Sequence, residues 1–494
     1  MPKKAERAQG VIVLDIASDF IKAGWAGEDA PRCSIPAVLV KDGGQERKRK
    51  ERNDEATTSY LVGREALEYL RGLHMRGEST EKLEIIYPVH KGRIVDWNAM
   101  MYLVERIFSK KLKIGSGSQT SYTIGYTVLV TDTPGSSEEY RLKLVKALFK
   151  FKMPGICLVS RGTMAIFDSG KSTGISLVTA GDVAHAVPVY KGFALPHATI
   201  STDVAGDYIT KVLKICLSDF GIKEAVDSMW EPIMKDIKDQ SCFVVGRRRQ
   251  EALLNDFVPF QKANQQRKEE LETLLEPERL EKKIDEKIQK DEKIDALITY
   301  EDNSLKKLGR SIREIYKKRG EEKKSLSEEY LDELEAEKKR LQIETKMLYN
   351  LPRKGGEIVP IDDMCRFVCP EVLFAPKYIL GHHSEQLGLQ DMVFRSIKMC
   401  DPFLQKILKQ NIVLAGHVTE MAGFTMRVTE ELQHLCASFD AEDADAINVV
   451  SHLRRKDAVW RGASMFGTIP TFTDIRFTHD DFIGDDKVVT KRYI

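Results

Sequence analysis

The sequence has no apolar run of the length a membrane-spanning helix needs, so no membrane partner is expected. Its first residues, MPKKAERAQG, lack the apolar centre of a secretory signal. It also lacks a surplus of either charge. Lys and Arg number 76 against 75 Asp and Glu, a formal net charge of +1, so nothing pulls the whole chain toward nucleic acid and any such contact needs a local patch. No CxxC pair occurs among its 8 cysteines. Cys365 and Cys369 lie four apart with His382-His383 beyond them, a weak metal spacing, and the expectation is buried, reduced thiols in a reducing compartment.

What is present is length. A chain of 494 residues can build more than one core. Residues 1–245 and 356–494 have ordinary globular texture, and the apolar runs TVLVTDT (127–133), GICLVS (155–160), GISLVTAG (174–181) and QNIVLAG (410–416) read as buried strands. Between them lie helical patterns such as SSEEYRLKLVKALFKF (136–151), with Ser136 or Ser137 as N-cap. Strands alternating with helices predict an α/β fold.

Residues 260–349 differ. They are rich in Glu and Lys, poor in Gly and nearly free of aromatics, with apolar residues at helical spacing: Leu271, Leu274 and Leu275, then Ile284 and Ile288, then Leu305, Leu308, Ile312 and Ile315, then Leu326, Tyr330, Leu331 and Leu334. Pro277 and Gly320 punctuate the pattern, which predicts antiparallel helices or a short coiled coil. Stripes this narrow bury little alone, so an arm gripping a partner is favoured over a solvated spacer. A second charged stretch, 42–60, holds the basic block Arg47, Lys48, Arg49, Lys50 and Arg52, which suits nuclear import, a nucleic-acid contact or a solvated loop.

The chain echoes itself. LDIASDFIKA (14–23) and LVTAGDVAHA (177–186) both run strand, short turn with Ala and Asp, strand. Two such hairpins suggest two lobes, each offering a turn to a phosphate, with a nucleotide in the cleft between them.

Seven further stretches carry a resemblance: IKAGWAGEDAPR (21–32), YLVGREA (60–66), YPVHKGRIVDW (87–97), AHAVPVYKGFALPHA (184–198), IMKDIKDQSCFV (233–244), CPEVLFAPKYILG (369–381) and RRKDAVWRGAS (454–464). Outside 260–349 the chain resembles actin and the actin-related proteins, most of all the chromatin-remodeller subgroup called actin-related protein 5, which carries a coiled-coil insertion at this place. The resemblance implies the two-lobed actin/Hsp70/sugar-kinase fold with ATP and Mg²⁺ in the central cleft. It assigns 1–32, 76–168 and 456–494 to subdomain 1, and 33–75 to subdomain 2 with its basic mobile loop. Residues 169–204 and 360–455 fall to subdomain 3, 205–259 and 350–359 to subdomain 4, and 260–349 to the helical insertion.

Carried over residue by residue, the resemblance makes Asp15 the carboxylate that acts on the metal through water, Ser18 a hydroxyl for the γ-phosphate and Lys22 a cation for the β-phosphate. Lys238 and Asp239 match a pair at adenine and ribose, Lys456 a lysine beside adenine, and His185 a histidine near the attacking water. Gly206 falls in the ribose-side turn DVAG and Gly416 in the adenosine-side turn, whose second glycine is here His417.

The departures concern the chemistry. Val178 stands where the family has its second metal-organising aspartate, and an isopropyl group neither holds a hydrated metal nor accepts a proton. Arg161 stands where a glutamine orients water, and a guanidinium accepts no proton. Asp19 and Asp182 replace glycines of the phosphate turns. Like charges about 4 Å apart at an effective dielectric of about 20 cost about 4 kcal/mol, and half of that is a loss of roughly thirtyfold in affinity. Asp also suits hairpin turns on its own account. The expectation is a degenerate ATPase, not an enzyme, in which Lys22, Lys238 and Lys456 leave room for residual ATP or ADP with Mg²⁺.

Filament contacts repeat head to tail, so the altered loop 45–53 and the bulk at 260–349 predict no homopolymer. The resemblance therefore implies a nuclear scaffold subunit of an ATP-dependent chromatin-remodelling complex. Its partners would be other protein subunits, with non-specific, salt-sensitive DNA or nucleosome contact. The alternatives are a cytoplasmic, cytoskeletal adaptor or capping protein and a slowly ATP-hydrolysing filament component.

Overall fold

The structure is a computed structural model that describes residues 10–42, 60–76, 83–114, 124–219, 231–247, 349–350, 358–359, 363–380, 385–438, 446–469, 472–485, 487–491 and 493. The chain divides into two units, residues 1–250 with 350–494, and residues 251–349. The helical arm expected at 260–349, except for Tyr349, which begins a short strand Tyr349–Asn350, lies outside the described residues, as do the basic block 47–52 and His382-His383.

In the first unit the strands that matter, in chain order, are β1 (Val11–Ile16), β2 (Phe20–Trp25), β3 (Cys33–Pro36), β4 (Leu39–Asp42), β5 (Tyr60–Val62), β6 (Leu83–Ile86), β7 (Val89–His90), β8 (Arg93–Ile94), β9 (Thr127–Asp132) and β10 (Ile156–Ser160). There follow β11 (Gly174–Thr179), β12 (Ala184–Tyr190), β13 (Phe193–Ala194), β14 (Ile200–Thr202), β15 (Ile412–Ala415) and β16 (Val449–Val450). The helices that matter are α1 (Arg64–Arg76), α2 (Trp97–Arg106), α3 (Glu138–Phe149), α4 (Arg161–Asp168), α5 (Gly206–Asp219), α6 (Glu231–Ser241), α7 (Asp363–Glu371), α8 (Phe424–Ala437) and α9 (Ala458–Phe466).

Two sheets dominate. One runs β10-β9-β1-β2-β3; the other runs β13-β12-β11-β15-β16, with β14 on β12. They share a plan. In each, an antiparallel hairpin (β1–β2, β11–β12) has its first strand paired in parallel with a strand from much later in the chain (β9, β15). Even the turns close alike: Ala17 N–H donates to the Phe20 carbonyl at 3.1 Å, and Ala180 N–H to the Val183 carbonyl at 2.8 Å. The internal echo of the sequence is thus a structural repeat.

The strands read as nearly unbroken apolar runs because both faces of the first sheet are covered. Period-two alternation sorts the side chains. Ile12, Leu14, Val128, Val130, Ile156 and Leu158 pack with Met100 and Leu103 of α2 and Leu144 and Leu148 of α3. Val13, Leu129, Cys157 and Val159 turn the other way, toward Met164 of α4, Trp460 and Ala463 of α9, and Val178 and Ala415 of the second sheet. The indole N–H of fully buried Trp460 donates to the Val13 carbonyl at 3.3 Å. Truncating such an aromatic costs about 3–5 kcal/mol. Helices α4 and α9 therefore sit where the two sheets meet.

Local signals set the helix starts. Ser137 caps α3, its hydroxyl accepting from Tyr140 N–H at 3.2 Å, and Asp96 caps α2, its carboxylate accepting from Ala99 N–H at 2.9 Å. Between β7 and β8, Lys91 (φ 49°) and Gly92 (φ 70°) form a two-residue turn in which both φ values are positive, as a primed hairpin turn requires.

Candidate functional site

In open α/β sheets, groups at the carboxyl ends of strands are the ones placed to meet a ligand. Asp15 lies near that end of β1, Val178 near that end of β11, and the turns that follow carry Ser18, Asp19, Gly181 and Asp182. Register places Asp15 across from Lys22, and Val178 across from His185.

On the first hairpin the charged groups are buried and engaged. Asp15 is 1% exposed, and its Oδ1 accepts from the Thr131 hydroxyl at 2.6 Å. Arg161 Nε lies 3.4 Å from the same oxygen, a charge contact that makes no hydrogen bond. Lys22 Nζ is held 3.0 Å from Asp457 Oδ1 and also donates to the Lys456 carbonyl. The Lys456 ammonium points elsewhere, 4.0 Å from Glu420, and is about half exposed.

The second hairpin is apolar where the first is charged. Val178 is 1% exposed and belongs to the central apolar cluster. Its cross-strand neighbour His185 places Nδ1 2.6 Å from the Ser201 hydroxyl and leaves Nε2 buried without a hydrogen bond. Burial, with Arg161 and Arg93 nearby, pushes the imidazole pKa down to about 3, so His185 is neutral throughout the physiological range.

The two turns touch. A Cβ on Gly181 would lie 2.0 Å from Asp19 Oδ1, so the Asp19 carboxylate occupies the space directly over the second turn. Burial raises its pKa, with Asp207 and Asp182 adding to the rise and Lys235 and Lys238 opposing it. Lys235 Nζ stands between two carboxylates, 3.9 Å from Asp19 and 3.4 Å from Asp207. Asp182 accepts from Lys91 N–H and lies 3.3 Å from the His90 ring, while Lys91 Nζ donates to Asp203 at 2.6 Å. Gly92 N–H donates to the Ser18 hydroxyl at 2.9 Å. Across α1 and α6, Arg71 pairs with Asp236.

On the far side, Gly206, Gly181, Lys238 and Val418 converge. A Cβ on Gly206 would meet Val418 Cγ2 at 2.8 Å and Lys238 Nζ at 3.4 Å. Lys238 Nζ lies 3.6 Å from Asp239, whose other oxygen lies 2.9 Å from His417 Nε2. Burial alone would raise the Asp239 pKa; the His417 and Lys238 contacts outweigh it, and the net shift is downward. Gly416, at φ 105°, brings its Cα so close to Thr179 that a Cβ would meet the Thr179 carbonyl oxygen at 1.8 Å.

Of the site residues expected from the sequence, Asp15, Ser18, Lys22, Asp19, Asp182, Gly206, Lys238, Asp239 and Gly416 lie about the two turns and their flank, whereas the Lys456 ammonium is directed to Glu420. Sequence reasoning missed Lys235, Asp207, Lys91, Asp203 and Asp457. Lys235 carried a usable signal, since it precedes Lys238 by three residues on α6 and so shares its face. The other four carried none, because their partners are remote in the chain.

Two like-built sheets, each with a hairpin whose turn meets the other's, define a two-sheet α/β protein with an internal repeat. The family model described as Actin matches residues 6–493, and the chain belongs to the actin family. Members of that family generally bind ATP or ADP with a divalent metal. The phosphate end of this cleft does not fit that ligand well. Asp19 fills the gap between the turns, Lys22 is committed to Asp457, and Val178 offers no ligand to a metal. No group of three or more His, Cys, Asp or Glu side chains suited to a metal ion occurs among the described residues. Cys369 is buried, with its sulfur 3.6 Å from that of Cys216.

Proposed function

We propose that this actin-family chain is a non-polymerising scaffold subunit of a nuclear chromatin-remodelling complex, and that its cleft is braced by its own side chains and turns over little or no ATP. The contact of Asp19 with Gly181 carries the second half of this reading. A carboxylate there takes the place and the charge of a phosphate, and it draws Lys235 as a phosphate would. Arg161, beside Asp15, supplies the positive charge that a hydrated metal would otherwise bring to that carboxylate. Both surrogates are built into the chain, so closure needs no ligand. Arg161 cannot accept a proton, and His185, its pKa pushed down to about 3, is a weak base for a water, which supports the reading of little or no turnover.

The nuclear and chromatin half rests on the sequence: the basic block 47–52, and the charged, helically spaced 260–349 as the arm that meets a partner subunit or nucleosome. A rigid platform needs only shape and surface. Residual ATP or ADP binding through Lys238 and the Gly206 turn would then be structural, without turnover.

The test is affinity purification of the full chain, with identification of the co-purifying proteins, alongside a phosphate-release assay on the isolated chain with Mg-ATP. A remodelling ATPase and helicase-like ring subunits, with no turnover above background, are expected. Microfilament proteins in their place would select the cytoskeletal reading, and brisk turnover would overturn the braced cleft.

A further inference from the structure

Two buried cysteines far apart in sequence meet in this fold. Cys216 on α5 and Cys369 on α7 place their sulfurs 3.6 Å apart, 153 positions separating them in the chain. Their exposures are 1% and 0%. Both are reduced thiols. Cys365, the neighbour that the CxxxC spacing offers to Cys369, lies on the same helix, whereas Cys216 precedes residues 251–349 in the chain and Cys369 follows them.

We infer that Cys216 and Cys369 are an oxidisable pair, a disulfide-forming modification site that staples α5 to α7 when the chain meets a hydroperoxide. A disulfide bond is about 2.05 Å long, so the sulfurs must close by roughly 1.6 Å, a movement that side-chain rotation on the two helices has to supply. The chemistry balances without a metal. One sulfur, as thiolate, attacks the peroxide oxygen, giving a sulfenic acid and releasing water. The second sulfur attacks the first, forms the S–S bond and expels a second water, so two thiols and one hydrogen peroxide give one disulfide and two waters. Burial slows the first step to the rate at which the helices part. Once the bond has formed, the same burial keeps out the larger thiol reductants.

The location gives the staple consequences. Helix α5 begins with Gly206 and Asp207, which line the cleft. Helix α7 ends at Glu371, which is gripped by both terminal nitrogens of the fully buried Arg427 at 2.8 and 2.9 Å. The bond would therefore tie a cleft-lining helix to a buried, two-pronged ion pair. It would also close a loop that contains the whole 251–349 unit, and cross-links across long loops restrict the unfolded chain most. Cys242, at the start of the segment after α6, is close enough to feel the charge of Cys216 and is therefore the competing partner that the test must distinguish. None of this depends on how the cleft is read.

The test uses the full chain, treated with hydrogen peroxide, denatured with a thiol-blocking reagent and digested without reductant for mass spectrometry. A cross-linked peptide pair joining Cys216 to Cys369, lighter by two hydrogens and split by reductant, is expected. With it should come faster migration on a non-reducing gel, lost in Cys216→Ser and in Cys369→Ser and kept in Cys242→Ser. If both cysteines are recovered blocked while other cysteines oxidise, the inference fails. It fails equally if Cys216 is found joined to Cys242.

Discussion

The two hairpins at the centre of the molecule have the same backbone and opposite chemistry. On the first, the strand-end position is the buried acid Asp15, met by Thr131 and Arg161; on the second, it is Val178, absorbed into the apolar cluster around Trp460. Each turn carries an aspartate. Asp19 reaches over to Gly181, whereas Asp182 is taken up by the backbone of Lys91 and by His90. A fold that needs two matched turns for its architecture can thus keep both while only one keeps its charged strand end. Architecture is set by backbone pairing and apolar alternation, chemistry by a few side chains at strand ends, and the two can change separately.

Five measurements would break or sharpen this contrast. The largest effect is expected for Gly416→Ala. A methyl group there meets the carbonyl of Thr179, the last residue of β11, at a φ that L-residues avoid. More than about 3 kcal/mol of stability should go in chemical denaturation; a smaller loss would mean that the second hairpin does not depend on this approach.

His185 gives the pH signature. Its folded pKa of about 3 lies below the 6.5 of an ordinary histidine, so the unfolded chain takes up the proton first. This contribution is complete above pH 6.5 and is lost as pH falls toward 3, at about 1.4 kcal/mol per pH unit, or about 2 kcal/mol by pH 5. Melting curves from pH 7.5 to 5 should drop more steeply for the natural chain than for His185→Gln. Parallel curves would mean that His185 is accessible to protons.

Removing both turn carboxylates, in Asp19→Gly with Asp182→Gly, should tighten Mg-ATP binding by roughly thirtyfold in calorimetry. Unchanged affinity would show that the cleft is closed by something other than its acids. Gly181→Ala should cost about 1 kcal/mol, because the group displaced is the movable Asp19 carboxylate, and the loss should vanish in the Asp19→Gly background. The smallest change, below about 1 kcal/mol, is expected for Lys91→Ala, whose pair with Asp203 is 47% and 40% exposed.

Much of the frame is legible in the chain itself. The runs at 127–133, 155–160, 174–181 and 410–416 contain β9, β10, β11 and β15, and Ser137 is the cap of α3. These signals are local: an apolar run too short for a helix, or a hydroxyl one residue before a helical period. The cleft residues were legible as types, through the resemblance, and the loss of a carboxylate at Val178 could be read directly. Their state was not. That Lys22 pairs with Asp457 and that Lys235 bridges Asp19 and Asp207 depends on contacts between segments hundreds or tens of residues apart. The contact of Cys216 with Cys369, 153 positions away in the chain, is of the same kind.

The sequence alone determined the central strands of both sheets, the resemblance to the family and the identity of the groups at the ends of those strands, because periodicity and residue chemistry are properties of short stretches. Only the tertiary structure decided which of those groups face one another. A carboxylate becomes a stand-in for a phosphate, or a thiol half of a disulfide, only when the fold has removed water and brought its counterpart within a few ångströms.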